Sequence, residues 1–419
     1  MRFIIVLSAI VLLLASLTVA FVVPLNLTDE QNKESPFYFG VSFCGNTTTE
    51  AKLLIDRVSG YTNLFVLQSW PISRNETAVY EVADYAVAKG LNVIVNLGTR
   101  TDNLTWAWQL QVWKGGNARW GQKFLGAYYD DEPGGAQIDY DWNNFFEQRS
   151  SYSIPPNSSR WLIDVYMKWL DWKVNSTQPS DYDAETQIFL NYFTNNRSAF
   201  QELKRNGIKT FISDYALHWF DYLGGYDVVL AQFGSNNSVV QCIQQARGAA
   251  RMQNKEWGAI ITWKCMEPPY LDSGEEIYNQ MVTAYRAGAK YVVVFDYPQM
   301  PANPYGVLLD EHFAALEKFS NTVKATTNTH TIDDNSATAA LVLPNNYGFG
   351  LRRVNDRIWG YWGPDDKTEQ VWNATQTLLA HYGLQLDLVY DDPAYPASGK
   401  YRTVYLWNQT LVSSISMTR

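Results

Sequence analysis

The chain has 419 residues, 46% of them hydrophobic and 18% charged, enough apolar material for one large core or a large core and a small one. Its formal net charge of -9 argues against a nucleic acid or an anionic membrane surface as partner, because both reward a basic face. An uncharged or cationic ligand is easier to accommodate.

The opening "MRFIIVLSAIVLLLASLTVAFVVP" carries one basic residue, an apolar run and small residues at Thr18-Val19-Ala20. Residues 1–23 therefore read as a signal peptide or an N-terminal anchor, and any membrane attachment is expected from this segment only. Ten Asn-X-Ser/Thr sequons, at Asn26, Asn46, Asn75, Asn103, Asn157, Asn175, Asn196, Asn236, Asn373 and Asn408, suit a glycosylated, extracellular or cell-surface protein. Three cysteines permit at most one internal bridge, for which Cys242 and Cys265 are the candidates.

From residue 36 onward, β-rich apolar runs alternate eight times with amphipathic stretches. The predicted strands are Tyr38–Phe43, Asn63–Ser69, Asn92–Gly98, Phe124–Asp130, Lys209–Tyr215, Asp227–Gly234, Gly258–Cys265 and Tyr291–Tyr297. Helices are predicted over Thr48–Ser59, Glu76–Lys89, Glu185–Asn206, Val239–Asn254 and Glu275–Ala287, several closed by a glycine that hands directly to the next strand. Eight such units over residues 36–320, with no Gly-rich phosphate loop after the first strand, predict a (β/α)8 TIM barrel rather than an open doubly wound sheet. Residues 138–180 read as an insertion over the barrel mouth. The polar tract at 321–337 reads as a linker, and residues 338–419 as a small, incomplete α/β layer.

A barrel of this kind places its site at the C-terminal ends of its strands. The fourth strand ends in "YYDDEP", three acids in a row, where a purely structural exit would carry Asn, Ser or Gly. Strand alternation places Tyr128, Asp130 and Glu132 on one face, with Tyr129 and Asp131 on the other. Other strand ends offer Trp70, Asp214, Gln232, Trp263 and Asp296, with Glu267 just beyond the seventh. Glycoside hydrolysis needs one protonated and one ionised carboxyl group facing each other across a sugar ring, and clustered acids favour that division. Many of the 16 tryptophans, Trp113 and Trp219 among them, fall in predicted strand-to-helix loops, where flat rings can stack on sugars. No His-X-X-His or Cys-X-X-Cys pair, nucleophile elbow or phosphate cradle is present, so neither metal nor cofactor is expected.

The Asp131-Glu132-Pro133 stretch is similar to the Asn-Glu-Pro that ends strand four in the large retaining clan of barrel glycoside hydrolases. That resemblance implies Glu132 as acid/base and Glu267 as nucleophile, and the neighbouring carboxylates of Asp130 and Asp131 are expected to tune Glu132. Asp130-Asp131-Glu132 also resembles the Asp-X-Glu of chitinase-like barrels, where a substrate acetamido group replaces the enzyme nucleophile. Asp214 and Asp296 are then the alternative second carboxylates, and each also suits a helix N-cap. Tyr128, Tyr129, Trp70, Trp263, Asp131 and Gln232 complete the expected substrate contacts. Past the linker, "ALVLPNNYGFG" and "LDLVYDD" are similar to flavodoxin-like accessory domains. The expected function is hydrolysis of an extracellular or cell-envelope glycan; the alternative is a non-catalytic glycan-binding or surface-layer protein on a degenerate barrel.

Overall fold

A computed structural model describes residues 36–97, 107–139, 166–167, 181–194, 198–234, 238–264, 268–300, 302–329, 337–408 and 410–414. The predicted N-terminal segment of residues 1–23 lies outside the described residues, as does nearly all of the predicted insertion. Among the described residues no helix is long and apolar enough to cross a membrane.

Eight parallel strands close into a barrel in chain order: β1 (Tyr38–Phe43), β2 (Leu64–Leu67), β3 (Asn92–Asn96), β4 (Phe124–Tyr128), β5 (Thr210–Asp214), β6 (Val228–Phe233), β7 (Glu256–Ile261) and β8 (Tyr291–Val294). Tyr38 pairs with Tyr291 to complete the circle. The strands are buried on both faces, which is why they read as apolar runs. Leu64, Val66, Ile94, Tyr128, Phe211, Leu230, Ile260 and Val293 fill the interior. Gly126 has φ 148°, and a Cβ there would fall 2.1 Å from the Lys209 carbonyl oxygen, so this position in β4 requires glycine.

The helices are α1 (Thr48–Val58), α2 (Glu76–Ala88), α3 (Ala107–Trp120), α4 (Pro133–Asp139), α5 (Tyr182–Thr194), α6 (Ser198–Arg205), α7 (His218–Leu223), α8 (Val239–Met252), α9 (Gly274–Arg286) and α10 (Asp310–Thr329). Thr47 with Glu50 and Ser273 with Glu276 form capping boxes at α1 and α9. Within the range Glu185–Asn206 predicted as one helix lie α5 and α6, with residues 195–197 between them outside the described residues. Helix α10 runs through residues 321–329, so the first part of the expected linker is helical.

The C-terminal region adds β9 (Ala339–Leu343), α11 (Thr368–Tyr382), β10 (Leu386–Tyr390), β11 (Thr403–Leu406) and β12 (Leu411–Ser414). The sheet order is β10-β9-β11-β12, with only β12 antiparallel to its neighbour. This layer is no free-standing accessory: residues 38–419 form one compact unit. Arg247 of α8 reaches Asp387 at 2.8 Å with both side chains buried, and Tyr401 donates to the same carboxylate at 2.9 Å. A Cβ on Gly248 would meet the Leu388 carbonyl oxygen at 2.6 Å, so glycine lets β10 lie against the helix.

A depression of about 380 Å³ at the N-terminal end of the barrel is lined by Lys204, Lys209, Lys255, Asp227 and Glu256. Lys204 and Lys255 share Asp227, while Lys209 and Lys290 share Glu256. The excess lysines offset the negative ends of the helices that finish there.

Candidate functional site

The last inward residue of β4 is Tyr128, whose ring belongs to the barrel core. Burial, then the Asp131 carboxylate, pushes its phenol well above the usual range, so it stays protonated and can donate. Tyr129 points outward and is fully buried, packed on Trp113 at 5.7 Å and Phe200 at 5.3 Å. Neither ring offers a stacking surface for a sugar, and Tyr129 cannot reach the mouth. Trp113 and Trp219, expected in loops, are likewise buried, Trp219 against Tyr390 of the C-terminal sheet.

Beyond Tyr128 the expected alternation fails. Asp130 has φ 70° and Glu132 φ 54°, two left-handed non-glycine residues within three positions, a conformation that costs about 1–3 kcal/mol each and survives only where the surroundings impose it. Here the Tyr129 amide donates to the Phe211 carbonyl and the Glu132 amide to the Ser213 carbonyl, each at 2.9 Å. The reversal at Asp130 swings Asp131 back over the barrel axis. Asp131, not Asp130, is therefore the acid that joins the mouth. Asp130 is buried, and its charge helps raise the buried Asp221 carboxyl of α7 behind the barrel wall, after burial and Asp214.

A continuous hydrogen-bond network crosses the mouth. Asp131 Oδ1 accepts from the Tyr128 hydroxyl at 2.7 Å and from Ser213 Oγ at 2.8 Å. Gln232 Nε2 lies 2.9 Å from both Ser213 Oγ and Glu132 Oε1, and Gln68 Nε2 lies 3.4 Å from the Tyr128 oxygen. Amides and hydroxyls donate, and the carboxyl oxygens of Asp131 and Glu132 accept. Four strands thus present their inward residues to one pair of acids. Ser213 and Gln68 were not among the expected site residues. Both lie an even number of positions from an interior residue, Phe211 and Val66, which is the signal that finds them.

The other two expected carboxylates are occupied elsewhere. Asp214 faces outward from β5 and accepts the amides of Gly134 (2.6 Å), Gly135 (2.8 Å), Tyr215 (2.7 Å) and Ala216 (3.1 Å). It caps α4. Burial pushes its carboxyl up to about 8 against the pull of these amides, and the Glu132 charge adds to the rise. Asp296, one residue past the inward Phe295, is buried and accepts the Val307 amide at 3.3 Å; burial pushes it, too, up to about 8.

Two of the aromatic residues expected to touch sugar, Trp70 and Trp263, are not buried. Trp70 is 51% exposed beside the mouth with the Arg74 guanidinium 4.0 Å over its ring. Trp263 packs on Tyr297 at 4.7 Å and Phe295 at 6.2 Å, a partly covered group beyond β7 and β8. Cys44, at the end of β1, is half-buried, and burial followed by Asp296 and Asp131 pushes its thiol well up. Cys242 is a free, buried thiol, and Cys265, the partner expected for it, falls outside the described residues. Glu267 and Cys265 lie outside the described residues. Among the described residues, no group of three His, Cys, Asp or Glu side chains could hold a metal ion.

No family model and no curated protein matches the sequence. Among solved structures the chain is similar to an endo-1,4-β-mannanase from Rhizomucor miehei, with 10% identity over 70% of this chain and 96% of that one, TM-score 0.38. A β-1,3-glucanosyltransferase from the same organism is 12% identical over 65% and 92%, TM-score 0.36. A spore coat polysaccharide biosynthesis protein from Bacillus subtilis is 9% identical over 71% and 70%, TM-score 0.38. At such scores the likeness says nothing of the reaction, and the fold class rests on the closed eight-stranded barrel itself.

Proposed function

We propose that the protein is a glycoside hydrolase acting on an extracellular or cell-envelope glycan. The observation that carries this reading is the network joining Glu132 and Asp131 through Gln232 and Ser213 at the C-terminal mouth of the barrel. Glu132 protonates the leaving glycosidic oxygen, and Glu267 serves as nucleophile or base. Asp131 holds Tyr128 and Ser213 in place around the acid. Gln68 Oε1 is buried without a hydrogen-bond partner; a sugar hydroxyl would supply the missing donor. Trp70 and Trp263 would flank the sugar. Export and glycosylation are supported by the four sequon asparagines among the described residues, Asn46, Asn75, Asn373 and Asn408, all of which are exposed.

A second reading, a glycan-binding barrel without turnover, is favoured by one observation. Asp214, one of the acids expected as second carboxyl, is consumed in capping α4. A hydrolysis screen on aryl glycosides and polysaccharides, comparing the intact protein with Glu132→Gln, separates the two. Turnover that falls at least ~100-fold in the variant supports the hydrolase; glycan binding without turnover in both proteins supports the binder.

A further inference from the structure

The C-terminal layer touches the barrel at a place that bears directly on Glu132. Helix α4 begins one residue after Glu132, and its Ala136 amide donates to the Glu132 carbonyl at 2.9 Å. On its barrel side α4 is held by Asp214, which accepts the Gly134 and Gly135 amides. A Cβ on Gly135 would lie 2.1 Å from the Tyr215 ring, so the helix sits flush against the β5 exit. On its other side three contacts come from the C-terminal chain. Gln137 Nε2 donates to the Trp359 carbonyl at 2.8 Å. A Cβ on Gly350 would lie 3.2 Å from Ile138. Arg352 donates to Asp139 at 2.6 Å, while the other Asp139 oxygen accepts the Tyr215 hydroxyl at 2.6 Å.

Arg352 is itself fixed. Its Nε and Nη2 make a paired contact with the buried Asp356 at 2.9 and 2.8 Å, and its guanidinium lies 5.7 Å from the centre of the Tyr215 ring. A planar fork gripping one carboxylate leaves its remaining edge pre-aimed at a second. Asp139 is therefore gripped between the barrel, through Tyr215, and the C-terminal layer, through Arg352.

We propose that Arg352 is a positioning residue for Glu132: through Asp139 it locks α4, and α4 holds the left-handed Glu132 in register with Gln232. The C-terminal layer is thus the outer wall of the site rather than an accessory. The proposal rests on the reading of Glu132 as the acid, but the clamp on α4 can be tested without it.

The experiment is a double-mutant cycle of Arg352→Met and Asp139→Asn in the full chain. It is read by amide hydrogen exchange over residues 133–139 and by kcat and KM on the aryl glycoside turned over fastest in the panel. Each single variant speeds exchange of α4 and lowers kcat by roughly 10-fold with KM unchanged, because a misplaced acid damages chemistry more than binding. The double variant is no worse than the poorer single one, since both break the same link. Arg352→Lys, which keeps one charged donor, recovers part of the loss. Additive effects, or unchanged α4 exchange in Asp139→Asn, overturn the proposal. The Asp139→Asn result stands alone if Arg352→Met does not fold. A wild-type protein that hydrolyses nothing in the panel removes the hydrolase reading, while the exchange data still decide the clamp.

Discussion

Gln232 Nε2 sits 2.9 Å from Glu132 Oε1, although the two residues are 100 positions apart in the chain. The same nitrogen also reaches Ser213, which in turn donates to Asp131. One amide on β6 therefore aligns both acids of the mouth. Removing it by Gln232→Ala leaves Glu132 without this donor and should lower kcat by about 10-fold, less than the loss in Glu132→Gln, with KM nearly unchanged. Steady-state kinetics of the two variants on one aryl glycoside check the order.

Tyr129 and Trp263 were both expected to touch sugar, and their surroundings now separate them. Tyr129→Ala empties a fully buried site between Trp113 and Phe200 and should cost about 3–5 kcal/mol in urea unfolding, without changing KM in the fraction that stays folded. Trp70→Ala and Trp263→Ala should do the reverse, raising KM about 3–10-fold while the unfolding midpoint moves little.

The Arg247–Asp387 pair fastens the C-terminal sheet to α8 with both side chains out of solvent. Arg247→Met leaves the buried Asp387 with only the Arg251 guanidinium, 3.9 Å away, and should destabilise the protein by about 3–5 kcal/mol. Replacing both partners with apolar residues should recover much of that loss. Denaturant unfolding of the single and double variants tests the expectation.

The buried acids set a pH dependence of defined sign. Asp296 is raised to about 8 in the folded protein, so its contribution to stability is complete at acid pH and is lost as pH rises toward 8. Asp214 acts in the same sense. His218, buried and lowered to about 4, opposes them: its contribution is present above the ordinary histidine value and is lost as pH falls toward 4. The Asp296 effect should therefore show most clearly above about pH 6.5, where the His218 contribution levels off. Asp296→Asn should reduce the fall in stability between pH 6.5 and 8, by up to about 1.4 kcal/mol per pH unit. Thermal or denaturant unfolding across that range would show it, and an unchanged slope would assign the dependence to Asp214 or Asp221.

The architecture is legible in the chain's hydrophobic pattern. Eight runs of buried β-formers, each followed by an amphipathic stretch, call for a parallel sheet covered on both faces, and the count of eight without a Gly-rich phosphate loop favours closure into a barrel over an open doubly wound sheet. Tyr38–Phe43 matches the predicted strand at both ends, and β7 departs most, starting two residues early at Glu256. The acids at the end of β4 were legible for the same reason: charges in an otherwise apolar strand exit stand out.

Which of those acids faces the mouth was decided only by the tertiary structure. Side-chain direction alternates with a period of two, so an error of one residue in phase moves a group from the barrel axis to the outer wall. Asp214 and Asp296 each sit one residue past an inward position, Ser213 and Phe295; Asp214 caps α4, and Asp296 is buried against the Val307 amide. Asp131 faces inward because Asp130 turns left-handed, a reversal imposed by contacts with Phe211 and Ser213 more than 80 residues away. The part played by Arg352, 220 residues from Glu132, depends on how the C-terminal sheet packs on α8 and α4. No local pattern encodes that packing, because it arises where two separately amphipathic layers meet.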